Sequence, residues 1–115
     1  MNSPLQGFLG GQLNKMLASH MEDWQKAVEE LQATRVTASA GGGVVEATAN
    51  GIGELLDVQI DPELIEAGDI EMLQDLIVTA VREALSKATE TYRERLKASF
   101  GPLGNLVNNY MPGLF

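Results

Sequence analysis

The spacing of apolar residues changes period along the chain: helical from Gln12 to Thr34, alternating from Arg35 to Ile60, and helical again from Asp69. In the first run Leu17, Met21, Trp24, Val28 and Leu31 fall four, three, four and three residues apart. That spacing makes one seam along a helix, suited to packing on another helix. The opposite face carries Glu22, Lys26, Glu29 and Glu30. At about two heptads the seam is short for a free coiled coil, so packing within a domain or a dimer is expected, with Trp24 as an interface or core anchor.

Three strands follow. Val36, Ala38 and Ala40 alternate with Thr37 and Ser39 over Arg35 to Ala40, and Gly41-Gly42-Gly43 turns the chain. Val44 to Ala49 is the second strand, with Val45, Ala47 and Ala49 facing one way and Glu46 and Thr48 the other. Asn50-Gly51 is expected to supply the positive φ angles of a tight hairpin. Ile52 to Ile60 then forms the third strand, with Leu56, Val58 and Ile60 on one face. An antiparallel meander of this size needs a helix over its apolar face, and the small alanines allow close approach. Asp61-Pro62 ends the third strand, because Pro62 has no amide hydrogen for the ladder and biases Asp61 toward an extended conformation. The chain leaves the sheet through Glu63 to Gly68.

A second helix is expected from Asp69, its N-cap, to Ser99, with Leu73, Ile77, Ala80, Ala84, Ala88 and Tyr92 in its apolar stripe. Gly101-Pro102 stops it. About thirty residues at a rise of 1.5 Å span about 45 Å. A compact chain of this length is only about 35 Å across, so the helix must project or pack against a second subunit, and a homodimer is the physical expectation. The fold class is α+β: helix, three-stranded antiparallel sheet, long C-terminal helix. Residues 12–100 form the domain, residues 1–11 a flexible lead, and residues 101–115 a flexible tail or docking arm.

With 115 residues the chain holds one hydrophobic centre and buries roughly two-thirds of its extended surface. Cysteine is absent, which removes disulfides and thiolate chemistry. The first residues lack a basic leader, and no apolar run approaches the ~18 residues of a membrane span. A soluble intracellular protein is expected. The formal charge of −8 is unevenly placed. Residues 1–75 hold Lys15, Lys26 and Arg35 against thirteen carboxylates, whereas residues 76–115 hold Arg82, Lys87, Arg93, Arg95 and Lys97 against Glu83, Glu90 and Glu94. The second helix is therefore locally cationic. Lys and Arg near a helix C-terminus also serve the macrodipole, which gives Arg95 and Lys97 a purely structural role to set beside a binding one.

Other candidate chemistry yields to simpler readings. Gly41-Gly42-Gly43 precedes a strand and no Gly-Lys-Ser or Gly-Lys-Thr, so it is a hairpin and not a phosphate cradle. His20 has no second His or Cys as a metal co-ligand. Glu66, Asp69 and Glu71 fit a helix start and lack the spacing of a calcium loop. Glu29 and Glu30 sit on an exposed helix face without an apolar pocket to shift them, so acid–base catalysis has no support. No catalytic residue, metal site or cofactor is expected.

A specific block stands out: Gly43-Val44-Val45 with Ala47, Asn50-Gly51, Val58-x-Ile60-Asp61-Pro62-x-Leu64, Glu71-x-Leu73-x-Asp75-Leu76, then Ala80, Ala84 and Ala88. In this block and its order of elements the chain resembles the YbaB/EbfC family of bacterial nucleoid-associated proteins over roughly residues 12–100. Met111-Pro112-Gly113 is also similar to that family's Pro/Gly-rich tails. The matched residues are turn, cap and packing positions and carry no catalysis. The resemblance implies a cytoplasmic, nucleoid-associated, tweezer-like homodimer that binds double-stranded DNA with little sequence preference and affects nucleoid organisation or gene expression. It also suggests links to recombination and repair proteins, and no membrane partner. DNA contact in the family is attributed to the helices flanking the sheet. Here that implies Lys15 and Lys26 on the first helix and Arg82, Lys87, Arg93, Arg95 and Lys97 on the second.

A second class stays open. The net charge, the Trp24 seam and the apolar ends at Phe8, Tyr110, Leu114 and Phe115 also suit a dimeric protein-interaction scaffold without DNA affinity. Charge placement separates the two. Pairing of each second-helix cation with Glu83, Glu90 or Glu94 favours the scaffold, and one concave surface lined by Arg82, Lys87, Arg93, Arg95 and Lys97 from both subunits favours DNA.

Overall fold

The computed structural model describes residues 4–100 and Asn109. The element order is α1 (Pro4–Ala33), β1 (Arg35–Ala40), β2 (Val45–Asn50), β3 (Leu55–Ile60), α2 (Pro62–Glu66) and α3 (Ile70–Phe100). The expected α+β architecture is present, with one addition, the short α2. The flexible tail expected over residues 101–115 lies, Asn109 apart, outside the described residues. α1 starts at Pro4, ahead of the Gln12 start that periodicity suggests. Proline suits a helix's first turn because its missing N–H would have no partner there anyway.

The three strands form an antiparallel sheet in the order β1-β2-β3. Ala38 lies opposite Ala47 and Ala40 opposite Val45, while Ala47 and Val45 oppose Val58 and Ile60. This face is buried under α3, whose Ala80, Ala84 and Ala88 are fully covered. Four-residue spacing puts these alanines on one side of α3, and their methyl groups let the helix sit close on an alanine-rich sheet. Leu64 of α2 closes the same core. A register shift between Thr48 and Ala49 pairs Ala49 with Leu55 and Thr48 with Asp57, leaving Leu56 out of the pairing. Leu56 is exposed and does not join Val58 and Ile60 in packing on the core, a correction to simple alternation; Leu55, opposite Ala49, is exposed as well.

The Asn50-Gly51 turn also differs from expectation. Neither residue has a positive φ; in this turn that conformation belongs to Gly53, so β3 starts at Leu55 and Ile52 stays in the loop. Asn50 is only 3% exposed. Its Oδ1 accepts from the backbone N–H groups of Ile52 at 3.2 Å and Glu54 at 2.9 Å, and its Nδ2 donates to Glu54 Oε1 at 2.8 Å. The asparagine organises the loop through its side chain. Gly51 is needed for space. A Cβ there would lie 2.8 Å from the Leu31 carbonyl oxygen and 3.1 Å from its Cα, and the Gly51 N–H donates to that carbonyl at 2.7 Å. The Leu31 carbonyl near the end of α1, which also accepts from Thr34 N at 3.2 Å, thus bonds the second hairpin and pins the helix to the sheet.

Asp61 caps α2 by accepting from Glu63 N at 2.9 Å, with Pro62 in the first turn. Asp69 caps α3 as expected, accepting from Met72 N at 3.1 Å. The Asp-Pro pair that ends the strand thus also starts a helix. The molecule is long, with principal extents of 75 × 26 × 23 Å and a radius of gyration of 21.2 Å, against about 13 Å for a compact chain of this length. α1 and α3 project from the sheet as a pair. An edge-to-face contact of Trp24 with Tyr92, ring centroids 6.3 Å apart, joins them.

Candidate nucleic-acid interface

The seven cations expected to meet DNA divide into two groups. Lys87 and Arg95 are engaged within the fold. Lys87 Nζ donates to the Thr37 carbonyl at 2.9 Å, tying α3 to β1. Arg95 Nε donates to Glu30 Oε2 at 2.8 Å and its guanidinium reaches Ser99 Oγ at 2.8 Å, tying α3 to α1. Arg95 is also half-buried. Neither interaction is visible in sequence, since the partners lie 50 and 65 residues apart.

Arg82, Arg93 and Lys97 are exposed. At 3.6 residues per turn they fall within an arc of about 60°, strung along about 22 Å of α3. Among the described residues the ion pair formed is Arg95 with Glu30, so Glu83, Glu90 and Glu94 do not neutralise this stripe by direct pairing. Arg93 shares a shallow concavity with Ser86, Thr89 and Glu90. The two hydroxyls are members of the surface that charge-based reading overlooks; their helical spacing from Arg93 is the signal that finds them. Serine and threonine hydroxyls commonly join Arg and Lys on phosphate oxygens.

Lys15 and Lys26 are exposed on α1. Eleven residues apart, they share a face opposite the Leu17–Leu31 seam, together with Glu22 and Glu29. Lys26 also borders the cleft between α1 and α3, beside Asp23, Glu30 and Arg95. The structure therefore brings three of the seven cations into one stripe, places two on the neighbouring helix among carboxylates, and assigns two to holding the helices in place.

Such a surface is suited to phosphate contact without reading bases. Fields from exposed charges extend about 8 Å at physiological salt, so the stripe acts locally despite the acidic net charge. Among the described residues no group of three His, Cys, Asp or Glu side chains could hold a metal ion. No helix among them is long and apolar enough to cross a membrane.

Fold and surface together define a small helix–sheet–helix protein with an exposed cationic stripe on α3. Residues 9–103 match the YbaB/EbfC DNA-binding family, and the chain belongs to that family. A nucleoid-associated protein of Acetivibrio thermocellus is 41% identical over 109 residues, covering 92% of each chain. One from Rhodococcus erythropolis is 42% identical over 88 residues, covering 76% of this chain and 75% of its own. The crystal structure of the uncharacterized protein HP0035 from Helicobacter pylori aligns with a TM-score of 0.69 at 31% identity, over 81% of this chain and 95% of that one. The resemblance carried by the turn, cap and alanine positions is thereby confirmed. The family is a DNA-binding one and not a known enzyme family.

Proposed function

We propose that the protein binds duplex DNA as a homodimer with little sequence preference, through the exposed faces of α1 and α3. The observation that carries this reading is the stripe of Arg82, Arg93 and Lys97, exposed and without an ion-pair partner among the described residues of a chain whose family binds DNA. Lys15 and Lys26 extend it on α1. Lys87 and Arg95 act chiefly as supports. The apolar seam that α1 leaves exposed supports an assembly larger than one chain, since a lone helix pair projecting from a small sheet keeps apolar surface in water. In this reading the protein works at the nucleoid in the cytoplasm, influences DNA organisation and gene expression, and meets recombination or repair proteins on the same DNA.

The test is fluorescence anisotropy of two unrelated duplexes at about 50 and 200 mM salt. A dimer engaging about four to six phosphates gives a log–log salt slope of about −4 to −5, a loss of roughly 200- to 1,000-fold between the two conditions. Replacing Arg82, Arg93 and Lys97 with Gln flattens that slope on both duplexes, while light scattering still reports twice the 12.4 kDa chain mass. Absence of binding at 50 mM salt overturns the reading in favour of the protein-interaction scaffold.

A further inference from the structure

The order β1-β2-β3 leaves the sheet two free edges, and the chain treats them differently. At β1 the Thr37 carbonyl is occupied by Lys87 Nζ at 2.9 Å. A lysine laid on an edge strand hinders a further strand from pairing there. β3 has the opposite character. Leu55 and Leu56 are 46% and 44% exposed, and Val58 and Ile60 are only half-buried, because α3 packs chiefly on β1 and β2. The Asp61 N–H donates to the Val44 carbonyl at 2.8 Å, so Asp61, and by alternation Gln59 and Asp57, turn their backbone groups toward β2. Those of Val58 and Ile60 then face the free edge. An apolar edge with outward backbone donors and acceptors is a template for another strand.

We propose that two copies of the chain join by antiparallel pairing of their β3 strands about a two-fold axis, an interface that rests on the homodimer reading above and locates it. Charge selects the register. An axis centred on Asp57 sets that carboxylate opposite the partner's Asp57, and one centred on Gln59 sets Asp57 opposite the partner's Asp61; like charges face each other in both. An axis centred on Val58 sets Asp57 opposite the partner's Gln59, a carboxylate against an amide that can donate to it, and Leu56 opposite the partner's Ile60. That register is self-complementary, and it makes one continuous sheet of two three-stranded ones.

Cysteine is absent, so disulfide cross-linking reads the register in the full chain, at two exposed positions. Opposed residues of a non-hydrogen-bonded pair have Cα atoms about 4.5 Å apart, within disulfide reach. Asp57→Cys chains refolded together with differently tagged Gln59→Cys chains therefore give a cross-link between the two tags on oxidation. Either variant alone stays unlinked, because like positions are then about 8 Å apart. In the unsubstituted chain, amide exchange at Val58 and Ile60 slows to that of Ala47 inside the sheet. Cross-linking of Asp57→Cys alone or of Gln59→Cys alone overturns the register. Absence of the mixed cross-link, with Val58 and Ile60 exchanging freely, overturns the β3 interface. If light scattering of that same protein reports twice the 12.4 kDa chain mass, the homodimer reading survives that loss; a single-chain mass removes both.

Discussion

α1 is one helix with one apolar seam, yet its two halves have different surroundings. Near its end Ala27 is fully covered and Leu31 is 2% exposed, held against Gly51 of the second hairpin. Farther toward the start of the helix, Met21 and Leu17 are largely exposed. The residue types and spacing are the same, so periodicity identifies the face that wants cover, while the length of the neighbouring elements decides where cover is found. A similar division separates the cations of α3. Lys87 and Arg95 reach the sheet and α1, whereas Arg82, Arg93 and Lys97 look outward.

The sharpest way to break this comparison is to shorten the two leucines. Leu31→Ala removes a buried side chain at the joint between α1 and the sheet and is expected to cost about 2–5 kcal/mol in urea unfolding. Leu17→Ala is expected to cost only a fraction of that. Equal destabilisation by the Leu31 and Leu17 substitutions would show that the exposed half is as firmly packed as the base.

Overpacking probes the other side of α3. Ala84 is fully buried in the alanine-rich interface with the sheet, and Ala84→Leu is expected to destabilise by about 1–3 kcal/mol as the helix is pushed off β1 and β2. A thermal melt checks it. An unchanged melting temperature would mean that close approach of α3 is not what the alanines provide.

How much of the molecule is legible in its sequence follows from the range of the interactions involved. Strand order, the alternating core face of β1 and β2, the Asp69 cap and the alanine stripe of α3 are set by local spacing and are plain in the sequence. Asn50-Gly51 is legible as a turn but not as to its geometry. The expected positive φ moves to Gly53, and Gly51 serves contact with a helix twenty residues earlier. α2 is hidden because Asp61-Pro62 is an equally good strand end and helix start. At the candidate site, charge counting finds the cationic helix but does not separate stripe from supports. That distinction rests on Glu30 and Thr37, which are remote in sequence, and on Ser86 and Thr89, which carry no charge.

The smallest expected effect tests that last distinction. Glu30 and Arg95 are partly solvated, so a double-mutant cycle with Glu30→Gln and Arg95→Gln is expected to give a coupling of about 0.2–1 kcal/mol, weaker at high salt. The pair matters more for what it withholds. While Glu30 holds the guanidinium, Arg95 is not free to release a DNA counterion, so Arg95→Gln should leave the salt slope of binding nearly unchanged. Arg93→Gln should flatten it by about 0.9 for each phosphate no longer neutralised. Glu30→Gln frees Arg95 and should steepen the slope, an effect that disappears in the Glu30→Gln, Arg95→Gln double variant. Equal flattening by the two single arginine variants would place Arg95 on the DNA and reduce the ion pair to a feature of the unbound protein.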